Sequence, residues 1–165
     1  MANFSIKGKK FDGAFCTVDT FRHLLTEKQA EQHLINVANV LKKNGIYILG
    51  LHLLTNKKNT SKVIHWKNKR GRLTLKTSMT MLELDRKKRK ETLKVVLRPE
   101  TSIKKESHTS IYPLRTYTLK QLNRLLDKTC VFKIDSVYDE YYDINQPISL
   151  NDKSDYSVLV LRKIN

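Results

Sequence analysis

The sequence predicts an α/β fold built on a parallel sheet with an added antiparallel sheet. Two apolar runs, Phe11–Thr17 and Ile46–Leu54, flank an amphipathic helix predicted from Thr26 to Lys43. Because parallel strands cannot be joined by a tight turn, this order indicates a strand–helix–strand crossover. Both runs are nearly continuous in apolar residues, which is typical of strands buried on two faces. Such sheets bind ligands at the carboxyl ends of their strands, here around Cys16–His23 and His52–Thr55.

The predicted crossover helix has its own start and stop signals. Thr26 is a good N-cap, and Gln29 stands three residues later as a capping-box partner. Lys42–Lys43 complement the negative end of the helix, and Asn44–Gly45 provide left-handed geometry for the exit. The predicted buried stripe, at spacings of three and four residues, consists of Ala30, Leu34, Val37, Ala38 and Leu41.

A predicted β-meander follows a polar loop at 56–61. The intervening residues alternate or favour strands, and turns are expected at 68–71 and 85–90. We predict one domain over residues 1–165, with an inserted antiparallel sheet at 56–117. The predicted strands of the insertion are Val63–Lys67, Arg72–Leu84, Thr92–Pro99 and His108–Tyr117.

The last part of the chain returns to the first sheet. Thr118 is a predicted N-cap for a helix over Leu119–Lys128. Two further strands are predicted at Phe132–Asp139 and Ser157–Arg162, with a loop at Asn151–Asp155 between them. The predicted order is β, α, β, three or four antiparallel strands, α, β, β.

Composition sets outer limits on function. The 165 residues have 39% hydrophobic content and a formal charge of +16, which favours anionic partners or a positive surface. Cys16 and Cys130 both lie in apolar segments, which predicts buried thiols and a reducing, cytoplasmic compartment. No stretch has the roughly 18 apolar residues of a membrane span, so we expect a soluble protein.

Three segments carry a resemblance to a known family. Lys10–Cys16, Asp19–Thr26 and Leu41–Leu49 resemble the fourth strand, the following helix and the fifth strand of class I S-adenosylmethionine-dependent methyltransferases. Lys43 and Asn44 stand where that family commonly has proline and glycine. Arg115–Thr118 before a helix and Tyr156–Leu161 look similar to the branch that methylates small molecules.

The resemblance implies that the chain is the carboxyl-terminal part of a methyltransferase domain, with a partial Rossmann-like sheet of strands 4, 5, 7 and 6. It further implies that the meander is a lid-like insertion that covers the ligand site. It also implies that the chain begins inside the domain, since Met1–Ile6 looks like the segment after the third strand. The five glycines form no glycine-rich cofactor loop. An uncovered first strand is then expected to self-associate or to need a complementing amino-terminal half.

Candidate site residues follow from these positions and from the resemblance. Asp19 and His23 are the predicted catalytic pair, because a carboxylate can orient an imidazole that titrates near neutral pH; a loop ion pair or helix cap is the alternative. The resemblance assigns cofactor contacts to Met1, Ala2, Cys16 and Thr17, with a buried apolar role as the alternative for Cys16. The predicted substrate contacts are Thr20, Phe21, His52, Trp66, Arg115 and Tyr117. The alternative for His52 is a hydrogen-bonded histidine beneath the predicted meander, and the alternative for Trp66, Arg115 and Tyr117 is a packing role.

The implied function is methyl transfer from S-adenosyl-L-methionine to a small molecule, by this chain or as the substrate-side portion of an enzyme. One alternative is a basic nucleic-acid-binding module, because Lys and Arg cluster at 57–58, 67–72, 86–90 and 104–105; a solvated surface explains the same clusters. Another is an inactive remnant or partner subunit. His33, His65 and His108 lack neighbours at metal-ligand spacing, so no metal is expected.

Overall fold

The structure is a computed structural model that describes residues 1–55 and 63–164. It divides into two compact units, Met1–Lys57 with Arg115–Asn165, and Lys58–Leu114. In chain order the elements are β1 (Phe11–Cys16), a 3-10 turn (Thr20–His23), α1 (Glu27–Val40), β2 (Leu41–His52), β3 (Ile64–Arg70), β4 (Leu73–Asp85), β5 (Lys90–Glu100), β6 (His108–Arg115), α2 (Leu119–Thr129), β7 (Phe132–Tyr138) and β8 (Tyr156–Lys163).

The first unit contains the predicted crossover, and the α/β fold class is confirmed. β1 and β2 pair in parallel, with Gly13 opposite Ile46 and Cys16 opposite Leu49. The sheet has the order β1-β2-β8-β7, and β8 runs antiparallel to both of its neighbours. The carboxyl ends of β1 and β2 therefore meet at one edge of the sheet, as in other parallel pairs that bind ligands there.

Helix α1 starts as predicted but ends earlier. The capping box is present: the Thr26 hydroxyl accepts the Gln29 backbone N–H at 3.2 Å, and the Gln29 side chain accepts the Thr26 N–H at 3.1 Å. The predicted end at Lys43 is wrong. Leu41 is already extended and pairs with Phe11, so strand pairing replaces the last helical turn. The left-handed residue of the exit is Asn44, at φ +60°.

The core of this unit lies where both helices pack on one face of the sheet. The side chains of β2 alternate, so Tyr47, Leu49 and Leu51 are buried together under α1 and α2. Every residue of the predicted stripe on α1 is buried, which confirms that pattern. The core also contains Leu122, Leu125, Leu126, Phe132, Leu159 and Leu161.

The second unit is a separate four-stranded sheet with the order β3-β4-β5-β6. β3–β4 and β4–β5 are antiparallel. The turn predicted at 68–71 is shifted, because β3 continues to Arg70 and the chain reverses at Gly71, whose φ of +57° suits glycine. The predicted loop at 56–61 lies outside the described residues, and the lid role of this sheet stays a prediction.

The two cysteine thiols differ in their exposure. The prediction that both thiols are buried is wrong for Cys130, which caps α2 in a left-handed conformation and is exposed, whereas Cys16 is half-buried. Capping places the Cys130 side chain outside the helix, so its apolar sequence neighbours do not bury it.

Neither α1 nor α2, the α-helices of the described segments, has the length and apolar character to cross a membrane.

Candidate functional site

A strained turn directly after β1 builds the candidate site. Val18 and Asp19 both adopt positive φ, at 54° and 60°. Left-handed backbone is unfavourable for a β-branched residue such as valine, and such strain concentrates at functional sites. The Asp19 N–H donates to the Gly50 carbonyl at 3.2 Å, so the turn lies against the end of β2.

This turn directs the Asp19 carboxylate toward His52, the last residue of β2. Asp19 Oδ2 lies 2.6 Å from His52 Nδ1, and Oδ1 accepts the His52 backbone N–H at 2.8 Å. The Arg22 guanidinium donates to Oδ1 at 3.1 Å. The Asp19 side chain is only 20% exposed, so these partners replace most of its water.

The electrostatics of the pair follow from these contacts. Burial alone would raise the pKa of Asp19, but the hydrogen bond to His52 and the charges of Arg22 and His52 outweigh it and lower the pKa to about 2. Burial would likewise lower the pKa of His52, but hydrogen bonding to the Asp19 carboxylate raises it overall. At neutral pH the pair is thus an anionic carboxylate beside an imidazole of increased basicity.

The contacts also define which imidazole nitrogen is open. An ionised carboxylate only accepts hydrogen bonds, so Nδ1 carries the proton that it shares with Asp19. The neutral ring then has its lone pair on Nε2. The His52 side chain is 49% exposed, and the structure gives Nε2 no hydrogen bond within the described chain. His52 can therefore accept a proton from a bound molecule.

Tyr156, the first residue of β8, completes the group. Its hydroxyl accepts the Val18 backbone N–H at 3.1 Å and lies 2.8 Å from the Tyr142 hydroxyl. Its ring packs edge-on against His52, with 4.9 Å between ring centroids. Burial and the Tyr142 hydrogen bond raise the pKa of Tyr156 to about 12, so the phenol stays protonated at neutral pH.

The structure pairs Asp19 with a different histidine from the predicted one, and its catalytic role stays a prediction. Asp19 lies in the site, but the histidine that it contacts is His52, in place of the predicted His23, whose side chain is exposed on the 3-10 turn. The left-handed turn is the physical reason, because it rotates the carboxylate toward β2. Thr20 opens the 3-10 turn and is also exposed.

Three predicted substrate contacts have structural roles instead. Phe21 and Tyr117 are completely buried in the core, with 5.7 Å between their ring centroids, so neither presents a surface to a ligand. The Arg115 guanidinium donates to the Leu25 carbonyl at 2.8 Å and to Glu27 at 2.5 Å. The Arg115 contacts fix the loop before α1. For Arg115 and Tyr117 these surroundings agree with the packing alternative. Trp66 is partly exposed on β3, in the second unit.

The residues assigned to the cofactor give an incomplete fit to S-adenosylmethionine. Cys16 and Thr17 are half-buried at the end of β1, and burial raises the pKa of the Cys16 thiol. The Met1 carbonyl contacts His33 Nδ1 at 3.1 Å, and the Ala2 carbonyl accepts from Asn36 at 2.6 Å, so both carbonyls pair with α1. Ribose recognition in such folds uses a free carboxylate. Asp12 pairs with Lys42, and Asp19 with His52 and Arg22.

Sequence reasoning missed three members of the site: Arg22, Tyr142 and Tyr156. Each is distant from Asp19 or His52 in sequence or lies in an irregular segment, so no periodic pattern indicates the contact. Gly50 is the one usable signal, since an isolated glycine in a strand marks a close approach. Within residues 1–55 and 63–164, no three His, Cys, Asp or Glu side chains form a group that could hold a metal.

The fold is similar to that of solved methyltransferases. A S-adenosylmethionine-dependent methyltransferase from Clostridium acetobutylicum matches 98% of this chain at a TM-score of 0.74 and 13% identity. An amino pentose methyltransferase from Micromonospora echinaspora, involved in calicheamicin biosynthesis and solved with S-adenosylmethionine bound, matches 96% at 0.66 and 11%. The sugar N-methyltransferase from Streptoalloteichus matches 96% at 0.67 and 11%.

These matches cover less of the solved proteins than of this chain. The chain spans 61%, 61% and 59% of their lengths, in the same order. No protein-family model and no curated protein matches the sequence. At such low identity the likeness shows the fold alone: this chain has an α/β fold similar to part of these solved methyltransferases.

Proposed function

We propose that this chain is the substrate-side portion of an S-adenosylmethionine-dependent methyltransferase that acts on a small molecule. The observation that carries the proposal is the Asp19–His52 pair at the shared carboxyl edge of β1 and β2. This edge is where parallel α/β sheets bind their ligands. Support also comes from structural neighbours that act on sugars and small molecules.

The proposal extends to the strands themselves. β1, β2, β8 and β7 correspond in order to strands 4, 5, 7 and 6 of the methyltransferase sheet, and β3–β6 correspond to the insertion. The observed parallel β1–β2 pair and the antiparallel β8 support this correspondence. Fold likeness alone does not define chemistry, so the proposal depends on the Asp19–His52 pair.

The proposed role of the pair is to remove a proton from the methyl acceptor. Nε2 of His52 takes the proton from an N–H or O–H group, and Asp19 stabilises the resulting imidazolium. Because Asp19 is held ionised and bonds Nδ1, the ring already has the required tautomer and orientation. The residue that contacts the acceptor is then His52, and Asp19 positions it.

The methyl donor needs residues that this chain does not supply in the described structure. Cys16 and Thr17 can contact the donor from the end of β1 only. The five glycines are scattered and form no glycine-rich cofactor loop. We therefore propose that residues outside the sequence described here contribute most of the S-adenosylmethionine site. The chain's coverage of about three fifths of the solved methyltransferases supports this division.

A nuclear magnetic resonance titration tests the proposal. S-adenosylhomocysteine, added to the ¹⁵N-labelled chain at millimolar concentration, is expected to bind weakly and to shift the amides of Cys16, Thr17 and Asp19. Adenosine and free methionine, titrated separately, are the controls for unspecific effects. Shifts confined to β3–β6, or no shifts at millimolar concentration, would contradict a donor-facing role for the end of β1.

A further inference from the structure

The Tyr156 hydroxyl joins segments that are distant in the sequence. It accepts the Val18 backbone N–H, contacts the Tyr142 hydroxyl and belongs to a ring that packs on His52. Val18 is the more strained of the two left-handed residues, because its side chain is β-branched. A single hydroxyl thus holds the residue that precedes Asp19.

Gly50 makes this arrangement possible. A Cβ built on Gly50 would lie 2.5 Å from the Tyr156 hydroxyl and 3.3 Å from the Thr17 Cα. Both distances are shorter than ordinary contacts, so any side chain at this position displaces the phenol or the turn. Gly13, on the neighbouring strand, would place its Cβ 3.6 Å from the Ile46 carbonyl, an ordinary contact.

We propose that Tyr156 is a positioning residue: its hydroxyl holds the Val18–Asp19 turn, and the turn holds Asp19 against His52. This inference rests on the proposed function, and it defines the acceptor class. A pre-oriented base is useful only if the reacting atom carries a proton that must leave. The acceptor therefore carries a proton on its reacting atom, as amines, hydroxyl compounds and thiols do, and a thioether or another acceptor without such a proton is excluded.

The groups around His52 make its titration a direct report on this geometry. Asp19 and Arg22 face it from the turn after β1, and Asp155 and Tyr156 face it from the start of β8. Asp19 and Asp155 favour the imidazolium, and Arg22 opposes it. Asp19 is the hydrogen-bonded partner of His52. Movement of the turn that carries Asp19 is therefore expected to change the pKa of His52 more than the direct loss of the Tyr156 hydroxyl does.

The test measures the His52 pKa and tautomer by long-range ¹H–¹⁵N spectra of the intact chain. Wild-type His52 is expected to titrate above 6.5 with its proton on Nδ1. Tyr156→Phe removes only the hydroxyl, and Gly50→Ala displaces it; both are expected to lower the pKa by about half a unit or more. Asp19→Asn removes the carboxylate itself and shows the largest decrease expected in the pKa of His52.

Two control variants separate positioning from general loss of structure. Tyr142→Phe leaves the Val18 hydrogen bond intact, and Gly13→Ala adds the same methyl group without a clash. Both are expected to stay within about 0.2 units of the wild-type His52 pKa. If folded Tyr156→Phe, judged by its amide spectrum, also stays within that margin, the positioning role is wrong.

A measurement on the wild-type chain needs no folded variant. Val18 is 74% exposed as a residue, so its amide would exchange rapidly with deuterium unless the Tyr156 hydroxyl protects it. Slow exchange is expected, and exchange at the rate of an unstructured peptide would overturn the proposal. None of these measurements uses a cofactor. A chain that shows the coupling but ignores S-adenosylhomocysteine keeps the positioning role and loses the donor-facing role proposed for the end of β1.

Discussion

Asp19 links the chemistry of the site to stability. Its pKa of about 2 lies below the ordinary value of 3.8, so the ionised form stabilises the folded state by about 2 kcal/mol. This contribution is complete above pH 3.8 and is lost as the pH falls to about 2. For His52 the sign is opposite: its raised pKa stabilises the fold below pH 6.5, and this contribution disappears as the pH rises through the folded value.

Asp19→Asn is therefore expected to lower the free energy of unfolding by about 2 kcal/mol near pH 5. Urea denaturation monitored by circular dichroism at several pH values measures this difference. The variant and the wild-type curves should converge as the pH approaches 2. Asp12→Asn is the matched control, because Asp12 pairs with Lys42 on the surface and should change stability little. Equal effects of both substitutions would contradict the account of Asp19.

The two thiols should differ in reactivity. Cys130 is exposed, whereas Cys16 is half-buried and its pKa is raised, which lowers its thiolate fraction. A thiol-disulfide reagent such as Ellman's reagent is expected to modify one thiol rapidly and the other much more slowly. In Cys130→Ser the rapid phase should be absent. A persistent rapid phase in that variant would place Cys16 at the surface.

The sequence predicted part of the site at residue level. Asp19 and His52 were predicted as site residues because they stand at the carboxyl ends of two parallel strands, and these ends meet at one edge of the sheet. Their pairing depends on positive φ at Val18 and Asp19, and no side-chain pattern signals left-handed backbone at a valine. Phe21 and Tyr117 were predicted as substrate contacts from their places near the strand ends, but both are completely buried. An aromatic residue at such a place has the same sequence signal whether its ring packs in the core or lines a pocket.

At the scale of elements, α1 is held mainly by its buried stripe. Leu34 is fully buried, while the adjacent Ile35 is 36% exposed. Leu34→Ala is expected to cost about 2–5 kcal/mol of unfolding free energy, because it leaves a cavity between α1 and the sheet. Ile35→Ala removes a similar side chain at the surface and should cost clearly less. Chemical denaturation compares them, and equal costs would contradict the assigned orientation of α1.

The elements themselves were largely predictable because local signals are strong. Both α-helices begin at Thr–x–x–Gln capping boxes, at Thr26 and Thr118. The end of α1 was not predictable, because Leu41 also fits the apolar period of the helix. In the structure Leu41 is extended and pairs with Phe11 of β1. Helix propensity is a weak prior that such tertiary contacts override.

At the scale of the whole molecule, β1 forms one edge of the first sheet. Phe15 is 80% exposed on this strand, and neither proline nor an inward charge protects the edge. We expect the isolated chain to self-associate at micromolar concentration unless a complementing polypeptide covers the strand. Size-exclusion chromatography with light scattering measures this. Phe15→Glu should reduce the association, and a monomeric wild-type chain would contradict the expectation.

The central claim is that the chain supplies the acceptor side of a methyltransferase and only a minor part of the donor site. Calorimetric titration of S-adenosylmethionine into the isolated chain tests it most directly. We expect a dissociation constant near the millimolar range, roughly −4 kcal/mol of binding free energy. Nanomolar affinity would show that the chain holds a complete donor site, and it would contradict the claim.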